Sequence, residues 1–236
     1  MEKTSFSYRG QELGSLAKAA NYYRWIFNYF RDHLGKRVIE VGPGHGAFSE
    51  LLLNDTKTEE LILVEPAANL FPLLQRRFSG EKKVRLIHDY LEGLSDFALV
   101  DTLIAINVFG LIEEDEAFLK SACEKLKPGG RLLLFAPALP FLCGTLDAAF
   151  GMVHRYTKSE LVSKIQTAGF RIKEIRYFNF LGVLGWFVAA KVLKRKTLNL
   201  ADVQFYDQWI VPWLSRIERV WEPPIGQSLV VVARKD

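Results

Sequence analysis

The sequence predicts an α/β protein with a mostly parallel sheet, and three observations support this prediction. An apolar run from Arg37 to Val41 leads directly into the glycine loop Gly42-Pro43-Gly44-His45-Gly46, and a helix is expected from about Ala47 to Leu53. Further short apolar runs follow, each ending in a polar or turn-forming residue. The last run, Ser228 to Ala233, contains three consecutive valines, which suits a strand buried on both faces.

Length and composition indicate one main domain. A chain of 236 residues can bury a full core, and its net charge of +4 is too small to indicate a nucleic-acid partner. The two cysteines, Cys123 and Cys143, lack metal-ligand spacing, so we expect no metal site and a reducing compartment. Met1 to Ser5 lack the apolar core of an export signal, and we therefore expect a cytoplasmic protein.

Apolar positions before the glycine loop repeat at helical spacing. Steps of three and four place them on one helical face, and Gly35 is well placed to end the helix. These positions are Leu13, Leu16, Ala20, Tyr23, Phe27, Phe30 and Leu34. We therefore predict a helix across this segment.

The glycine spacing distinguishes between two kinds of ligand. Dinucleotide-binding proteins use G-x-G-x-x-G, whose third glycine lets the helix pack close to the strand. This chain has G-x-G-x-G, with Glu40 two residues before Gly42. An acidic group beside two phosphates is repulsive, whereas it suits a ligand that carries an ammonium and a sulfonium.

Polar residues also follow the predicted strands at 61–64, 84–87 and 102–106, and a further strand is predicted at 131–135. Ligands of open α/β sheets bind at the carboxyl ends of the strands. The carboxylate of Glu65 can accept both hydroxyl protons of a ribose, a feature that NAD sites share. The alternative is that these residues are solvent-facing strand ends and turns. They are Glu65, Asp89, Tyr90 and Asn107.

The segment VIEVGPGHG, residues 38–46, resembles the first motif of class I S-adenosylmethionine-dependent methyltransferases. The resemblance implies a Rossmann-like three-layer α/β/α sandwich. Its seven-stranded sheet would have an antiparallel last strand between the fifth and sixth strands. The cofactor would be S-adenosylmethionine, with S-adenosylhomocysteine as product. The residues implied to contact it are Glu40, Gly42, Gly44, Gly46, Glu65, Asp89, Tyr90 and Asn107.

Two further segments extend the resemblance. Asn21 to Trp25 is similar to an N-terminal helix that some of these enzymes lay over the cofactor, which makes Tyr22 a candidate contact. The alternative is an aromatic helix packed on the sheet edge. Asp147 and the segment Gly151 to Tyr156 resemble a D…GHxRRY subgroup associated with glycan or lipid-carrier pathways, although Met152 and His154 depart from its pattern.

The same segment supplies the candidate catalytic residues. A hydroxyl acceptor needs a base with a pKa near neutrality, and His154 is the leading candidate. Asp147 would orient it or act as an alternative base, and Tyr156 would position the acceptor. The alternative is that His154, Arg155 and Tyr156 only pack beside the cap helix predicted after the sixth strand. The next helix is predicted to begin at a capping box of Thr157 and Glu160 and to end at Gly169.

The final third is apolar and rich in tryptophan. A sixth strand is predicted over 173–178, followed by an apolar segment too short to span a membrane and by Lys191, Lys194, Arg195 and Lys196. The favoured prediction is a cap helix that buries all its faces, and the alternative is a membrane-interface segment at 181–196. Helical spacing continues from Val203 to Trp221, where Pro212 should kink or divide the helix.

The sequence therefore predicts a methyltransferase domain over 1–236, with a helical lid at 1–35, a cofactor-binding core at 36–137 and a substrate-side region at 138–236. The expected acceptor is a small or amphipathic molecule, such as a lipid-linked saccharide, and not a nucleic acid. Two alternatives stay open: an NAD-dependent oxidoreductase, and a non-catalytic module that binds a cofactor or a membrane.

Overall fold

The computed structural model describes residues 6–8, 10, 13–94 and 97–236, so the segment Met1 to Ser5 lies outside the described residues. A seven-stranded sheet forms its centre. Its strands are β1 (Arg37–Val41), β2 (Glu60–Val64), β3 (Val84–Ile87), β4 (Val100–Ile106), β5 (Leu126–Pro137), β6 (Phe170–Phe178) and β7 (Ser228–Lys235). The order across the sheet is β3-β2-β1-β4-β5-β7-β6. The strand β7 runs antiparallel to both of its neighbours, and the other pairs are parallel.

Two hydrophobic cores flank the sheet, one on each face, and neighbouring residues of a strand pack in different cores. In β7, Leu229 and Val231 pack in one core, whereas Val230 and Val232 pack in the other. Successive side chains of a strand point to opposite faces, so a continuous apolar run is required where both faces are covered. The predicted three-layer sandwich with an antiparallel last strand is confirmed.

The helices lie on both faces and at the carboxyl ends of the strands. They are α1 (Leu13–Leu16), α2 (Ala20–Phe30), α3 (Ala47–Leu53), α4 (Phe71–Arg77), α5 (Asp115–Lys125), α6 (Thr145–Ala149), α7 (Lys158–Thr167), α8 (Phe180–Phe187), α9 (Leu200–Phe205) and α10 (Val211–Val220). The helix predicted after the glycine loop is confirmed with the same ends.

The N-terminal segment differs from the prediction of one helix. Ala19 adopts φ −84° and ψ 65°, which is not a helical conformation, and it separates α1 from α2. This break lets α1 lie against α9. A 3₁₀ turn, Arg31–His33, then ends the helical segment before Gly35.

Of the two hydrogen bonds in the capping box predicted before α7, the structure contains the one to the Thr157 side chain. The Thr157 hydroxyl accepts a hydrogen bond from the Glu160 amide at 3.2 Å. The Glu160 carboxylate instead contacts Nε2 of His154 at 2.7 Å. Gly169, with a φ of 91°, follows the helix as predicted.

The prediction that the cap helix buries all its faces is wrong. The helix α8 continues as a π-helical turn, Val188–Val192, and Leu184, Val192 and Leu193 are exposed. The fully apolar sequence does not itself reveal which face packs inward, and one face has no cover among the described residues. The division at Pro212 is confirmed, because a π-helical turn, Tyr206–Ile210, separates α9 from α10. None of the described helices is both long and apolar enough to cross a membrane.

A buried carboxylate joins the N-terminal helix to the C-terminal helices. The residue before α2, Ala19, provides no side-chain cap. Asp207 instead accepts hydrogen bonds from the amides of Asn21 at 3.2 Å and Tyr22 at 2.8 Å. The first amides of a helix have no partner within the helix, so Asp207 satisfies them from outside.

We predict that Asp207→Ala lowers the free energy of unfolding by about 1 to 2 kcal/mol, the usual effect of losing a helix cap. The control is Asp202→Ala, which removes an exposed ion pair with Arg195 and should change stability by about 0 to 1 kcal/mol. Urea unfolding of both variants measures the difference. Equal losses would contradict a capping role for Asp207.

Candidate active site

A cavity of about 830 Å³ lies at the carboxyl ends of β1, β2 and β4. This is the edge at which open α/β sheets bind ligands. Most of the predicted cofactor residues line its wall. They are Tyr22, Glu40, Gly42, Gly44, Glu65, Tyr90 and Asn107. Gly46 and Asp89 lie outside this wall, each beside a residue that belongs to it.

The three glycines of the loop have different roles. All three adopt left-handed φ values of 64°, 58° and 75°, for Gly42, Gly44 and Gly46 respectively. A Cβ atom on Gly46 would lie 2.7 Å from the Phe78 ring, and one on Gly42 would lie 2.5 Å from Val108. Gly46 therefore serves packing behind the loop, whereas Gly42 and Gly44 form the cavity wall.

Glu65 holds the glycine loop against the end of β2. Its Oε2 atom accepts a hydrogen bond from the Gly44 amide at 3.0 Å, and Oε1 accepts one from the Ala67 amide at 3.0 Å. Burial raises the pKa of Glu65, and the two amides oppose that rise. A carboxylate oxygen has two acceptor positions, so each oxygen keeps one for a ligand.

Glu40 is a buried carboxylate without full hydrogen bonding. It is 2% exposed, and its Oε2 atom has no hydrogen-bond partner among the described residues. Burial raises the pKa of Glu40 to about 8, and the charge of Glu65 adds to the rise. Buried polar groups are almost always paired in native proteins, so this oxygen points to a cationic ligand.

Asn107 and Tyr90 line the cavity from the segments that follow β4 and β3. Asn107 adopts a left-handed φ of 59°, which asparagine tolerates better than most residues. Its amide donates a hydrogen bond to the Phe135 carbonyl at 3.0 Å. The Asp89 carboxylate accepts a hydrogen bond from the Tyr90 amide at 2.8 Å, so it shapes the segment that carries Tyr90.

Tyr22 reaches the cavity from α2. Its ring lies edge-on to the rings of Phe135 and Phe178, each with a centroid separation of 6.1 Å. Burial raises the pKa of its hydroxyl, which therefore stays protonated. The structure thus combines the two sequence-based interpretations, because the ring packs on the sheet and also lines the cavity.

Asp147 has a structural environment rather than the predicted catalytic one. It lies outside the cavity wall and is fully buried. Its carboxylate pairs with Nε of Arg155 at 2.5 Å and accepts hydrogen bonds from the Gly144 amide at 2.9 Å and the Trp186 indole at 3.1 Å. All of these bonds hold α6, α8 and the Arg155 segment together.

His154 and Tyr156 also lie outside the cavity wall. Tyr156 is fully buried, and its hydroxyl donates to Asp115 at 2.9 Å while its ring stacks on Phe109. His154 packs against the Tyr156 ring with a centroid separation of 4.5 Å, and it bonds Glu160. Both side chains thus contact neighbouring protein groups, and their catalytic roles stay predictions.

The positions of these side chains follow from the alternation in an extended segment. Residues two apart point to the same side of such a segment, and the residue between them points to the other. His154 and Tyr156 share the side away from the cavity, and Arg155 between them lines it. The alternation holds for these three residues only, because Met152 also lines the cavity and Val153 is exposed outside it.

Sequence reasoning also missed Tyr206 and Asp207, which line the cavity from the π-helical turn before α10. The Tyr206 hydroxyl donates to Asn179 Oδ1 at 2.5 Å. The available signal was Asp207, the acidic residue in a run of aromatic, aliphatic and glutamine side chains. Arg155 was visible in the same way, as the charged residue between two aromatic or imidazole side chains.

Comparison with known proteins agrees with this geometry. Residues 15–175 match the model of a family described as a methyltransferase domain. The chain belongs to this family, and it is a class I S-adenosylmethionine-dependent methyltransferase. The family match favours a methyltransferase over the NAD-dependent oxidoreductase that the sequence left open.

Three similar proteins show how far the likeness reaches. The ribosomal RNA small subunit methyltransferase A of Acidobacterium capsulatum is 45% identical over 58 residues, which are 24% of this chain and 20% of the relative. The mitochondrial ubiquinone biosynthesis O-methyltransferase of Schizosaccharomyces pombe is 29% identical over 108 residues, which are 42% of this chain and 37% of the relative. The chain thus matches less than half the length of either relative.

A solved structure of a SAM-dependent methyltransferase from Thermotoga maritima has the same fold. It superimposes with a TM-score of 0.61 at 18% identity, and the match covers 93% of this chain and 91% of that one. At this identity the likeness concerns the fold, so the acceptor has to be inferred from the cavity itself.

The cavity wall fits S-adenosylmethionine, which supplies an electrophilic methyl group on its sulfonium. We propose that the unpaired oxygen of Glu40 faces the amino group of the cofactor, because a buried carboxylate needs a cation there. We propose that Glu65 accepts the ribose hydroxyls with the acceptor positions that the Gly44 and Ala67 amides leave open. Tyr22 would cover the cofactor from α2.

We predict that S-adenosylhomocysteine binding at pH 7 releases about one proton, because Glu40 must ionise to pair with the ammonium. Calorimetry in buffers of different ionisation enthalpy measures this release. In Glu40→Gln the proton release should disappear, and the affinity should fall by about tenfold or more. Unchanged proton release in the variant would contradict the assignment.

Thermal stability shows whether the Glu40→Gln variant is folded, so that a loss of affinity is not mistaken for a loss of structure. The folded pKa of Glu40, about 8, exceeds the ordinary value of 4.5, so the native state holds more protons than the unfolded state between these values. Stability therefore falls as the pH rises through this window. Glutamine removes that loss, and the variant should melt at pH 8 no lower than the wild type.

We predict that Glu65→Ala raises the dissociation constant of S-adenosylhomocysteine by about tenfold or more, since charge-assisted hydrogen bonds contribute about 1.5 to 3 kcal/mol each. The matched control is Glu60→Ala, at the opposite end of β2, where the side chain pairs with Arg37. Its affinity should equal that of the wild type. Unchanged affinity in a folded Glu65→Ala protein would remove Glu65 from the site.

Proposed function

We propose that this chain methylates a small amphipathic acceptor, such as a lipid-linked molecule or saccharide. The observation that carries the proposal is the apolar wall of the cavity on the side of the C-terminal helices. This wall lies beyond the glycine loop and is distinct from the residues assigned to the cofactor. Its apolar members include Leu146, Phe150, Met152, Trp186, Leu198 and Val203.

The cavity wall also offers two guanidinium groups and a hydroxyl. The Arg155 guanidinium lies 4.9 Å from the Trp186 ring centroid and is neutralised by Asp147, and Arg195 pairs with Asp202. Tyr206 also lines the wall, and burial raises the pKa of its hydroxyl. These groups can orient the polar end of an acceptor while the apolar wall holds its body and excludes water.

A small acceptor fits this cavity better than a nucleic acid. Residues of α1, α2 and α9 cover the cavity from above the strand ends, and Asp207 fastens α2 to the C-terminal helices. Such a roof leaves room for a small molecule rather than a polynucleotide. The ubiquinone biosynthesis relative is named for O-methylation, and the other relative is named for ribosomal RNA, so RNA is the contrasting substrate to test.

The proposal includes a cytoplasmic location and peripheral membrane contact through residues 181–196. Cys123 and Cys143 are both free thiols, which supports a reducing compartment. The exposed apolar side chains of Leu184, Val192 and Leu193 lie beside lysines in the same segment. An apolar segment that ends in a basic cluster is typical of an interfacial helix.

Turnover of labelled S-adenosylmethionine against lipid, glycan, metabolite and ribosomal RNA fractions tests the acceptor class. Methyl incorporation into a lipid or amphipathic small-molecule fraction is the expected result. Incorporation into RNA alone would contradict the proposal.

We predict that Val203→Trp abolishes turnover of the amphipathic acceptor and leaves S-adenosylhomocysteine affinity unchanged. The larger side chain fills the apolar part of the cavity, and Val203 is not among the residues assigned to the cofactor. The control is Val153→Trp, the same change at an exposed position outside the wall, which should retain turnover. Loss of cofactor binding in Val203→Trp would show that this volume belongs to the cofactor.

A further inference from the structure

The segment from α9 to α10 carries an exposed apolar stripe. Along this segment, the exposed side chains are spaced at steps of four and three residues, which places them on one side of the helix. Trp209 is 66% exposed, Trp213 is 70% exposed and Val220 is 88% exposed. The aromatic stripe, as we call it, consists of Phe205, Trp209, Trp213, Ile217 and Val220.

This segment has apolar side chains on both its inner and its outer face. A surface helix normally turns its apolar face to the core and its charged face to water. Here Val211 and Leu214 are buried in the core, and two carboxylates also face inward: Asp207 caps α2, and Glu218 accepts hydrogen bonds from the amides of Asn179 and Phe180 at 2.9 Å each. The inward face is thus fixed by core packing and polar bonds, and the outer apolar face is left without cover among the described residues. Exposed apolar patches of this kind mark interaction sites.

The segment from α9 to α10 meets α8 and its π-helical turn at two points. The rings of Phe180 and Trp221 lie 5.3 Å apart and join the start of α8 to the end of α10. At the other end, Arg195 pairs with Asp202 at 2.5 Å. The two helical arms therefore run in opposite directions, and we call them the hairpin. Its outer face, as we use the term, consists of the aromatic stripe on one arm and the exposed side chains of Leu184, Val188, Val192 and Leu193 on the other.

The charge of the hairpin indicates its partner. Its basic residues are Lys191, Lys194, Arg195, Lys196, Arg216 and Arg219. Its three acidic residues are Asp202, Asp207 and Glu218, of which the last two are buried and the first pairs with Arg195. Exposed charge on this hairpin is therefore predominantly positive.

We infer that the outer face of the hairpin docks on an anionic lipid bilayer. Tryptophan side chains favour the boundary between headgroups and acyl chains, and neighbouring lysines and arginines add attraction to anionic headgroups. An interfacial helix buries its apolar face to a shallow depth, which the aromatic stripe can do without any spanning segment.

This inference deepens the proposed function and rests on it. Val203, Tyr206 and Asp207 line the cavity on the inner side, while Phe205 and Trp209 of the same helical turns face outward. One helix therefore separates the acceptor cavity from the docking face. Docking holds the cavity next to the bilayer, which is where an amphipathic acceptor resides.

Sedimentation of the full chain with vesicles tests the docking. The protein should pellet with phosphatidylcholine vesicles that contain phosphatidylglycerol, and it should stay in solution with phosphatidylcholine alone. The triple variant Lys191→Gln, Lys194→Gln, Lys196→Gln should lower the partition coefficient on the order of a hundredfold, at about fivefold for each charge. The double variant Trp209→Ser, Trp213→Ser should abolish pelleting. Failure of the wild type to pellet with anionic vesicles overturns the inference.

A control variant with the same change in net charge shows whether vesicle binding depends on where the lysines lie or only on how many there are. Lys82→Gln, Lys120→Gln, Lys173→Gln removes the same charge at exposed positions on other parts of the fold. An equal loss of pelleting in this control overturns the local docking face. Sedimentation velocity without vesicles tests whether the stripe instead binds a second copy of the chain. A wild-type dimer that the tryptophan variants dissociate would assign the stripe to that contact and overturn the inference.

Measuring S-adenosylhomocysteine binding and turnover separates the proposed membrane docking from the proposed methylation of an amphipathic acceptor. The tryptophan and lysine variants lie outside the cavity wall, so each should bind S-adenosylhomocysteine as the wild type does while losing the vesicles. A wild type that pellets but methylates no lipid or amphipathic acceptor would contradict the proposed acceptor and leave the docking face standing.

Discussion

The hydrogen bond from the Gly44 amide to Glu65 is the contact on which the site depends. It fastens a loop of left-handed glycines to the end of the neighbouring strand, and the Gly42 amide adds a bond to the Val64 carbonyl at 2.9 Å. Glycines in such a loop have high conformational freedom, so the loop needs an external anchor to present a defined surface. A carboxylate supplies the anchor and keeps acceptor positions for a ligand, which places structural and binding roles in one side chain.

Buried carboxylates organise the rest of the molecule in the same way, with one exception. Asp147 holds a guanidinium, an indole and an amide, while Asp207 and Glu218 each satisfy the first amides of a helix that belongs to another segment. Burial of a charge is unfavourable unless such partners are present. Glu40 differs, because one of its oxygens lacks a partner among the described residues. The contrast with the other buried acids makes Glu40 the strongest indication of a cationic ligand.

The sequence revealed the core of the fold because its signals are local. The glycine loop, the strand-end acids and the final valine run each depend on a few adjacent residues, and Glu40, Glu65 and Asn107 accordingly reach one cavity. Orientation was harder to predict. In the extended segment, a shift of one residue exchanges His154 for Arg155 at the cavity. In the helices after β6, periodicity shows that one face is apolar, but the direction of that face depends on long-range bonds to Asp207 and Glu218.

Those long-range bonds also relate the roof of the cavity to the outer surface. Asp207 holds the start of α2 and lines the cavity, and it lies in the same π-helical turn as Trp209. Binding that restricts the conformation of this turn at Trp209 therefore also restricts Asp207, whose carboxylate positions Tyr22 above the site. Two ligands that both stabilise one conformation bind cooperatively. Because a bilayer on the aromatic stripe and a cofactor beneath Tyr22 would both order this turn, membrane docking and cofactor binding should each strengthen the other, with Asp207 as the link between them.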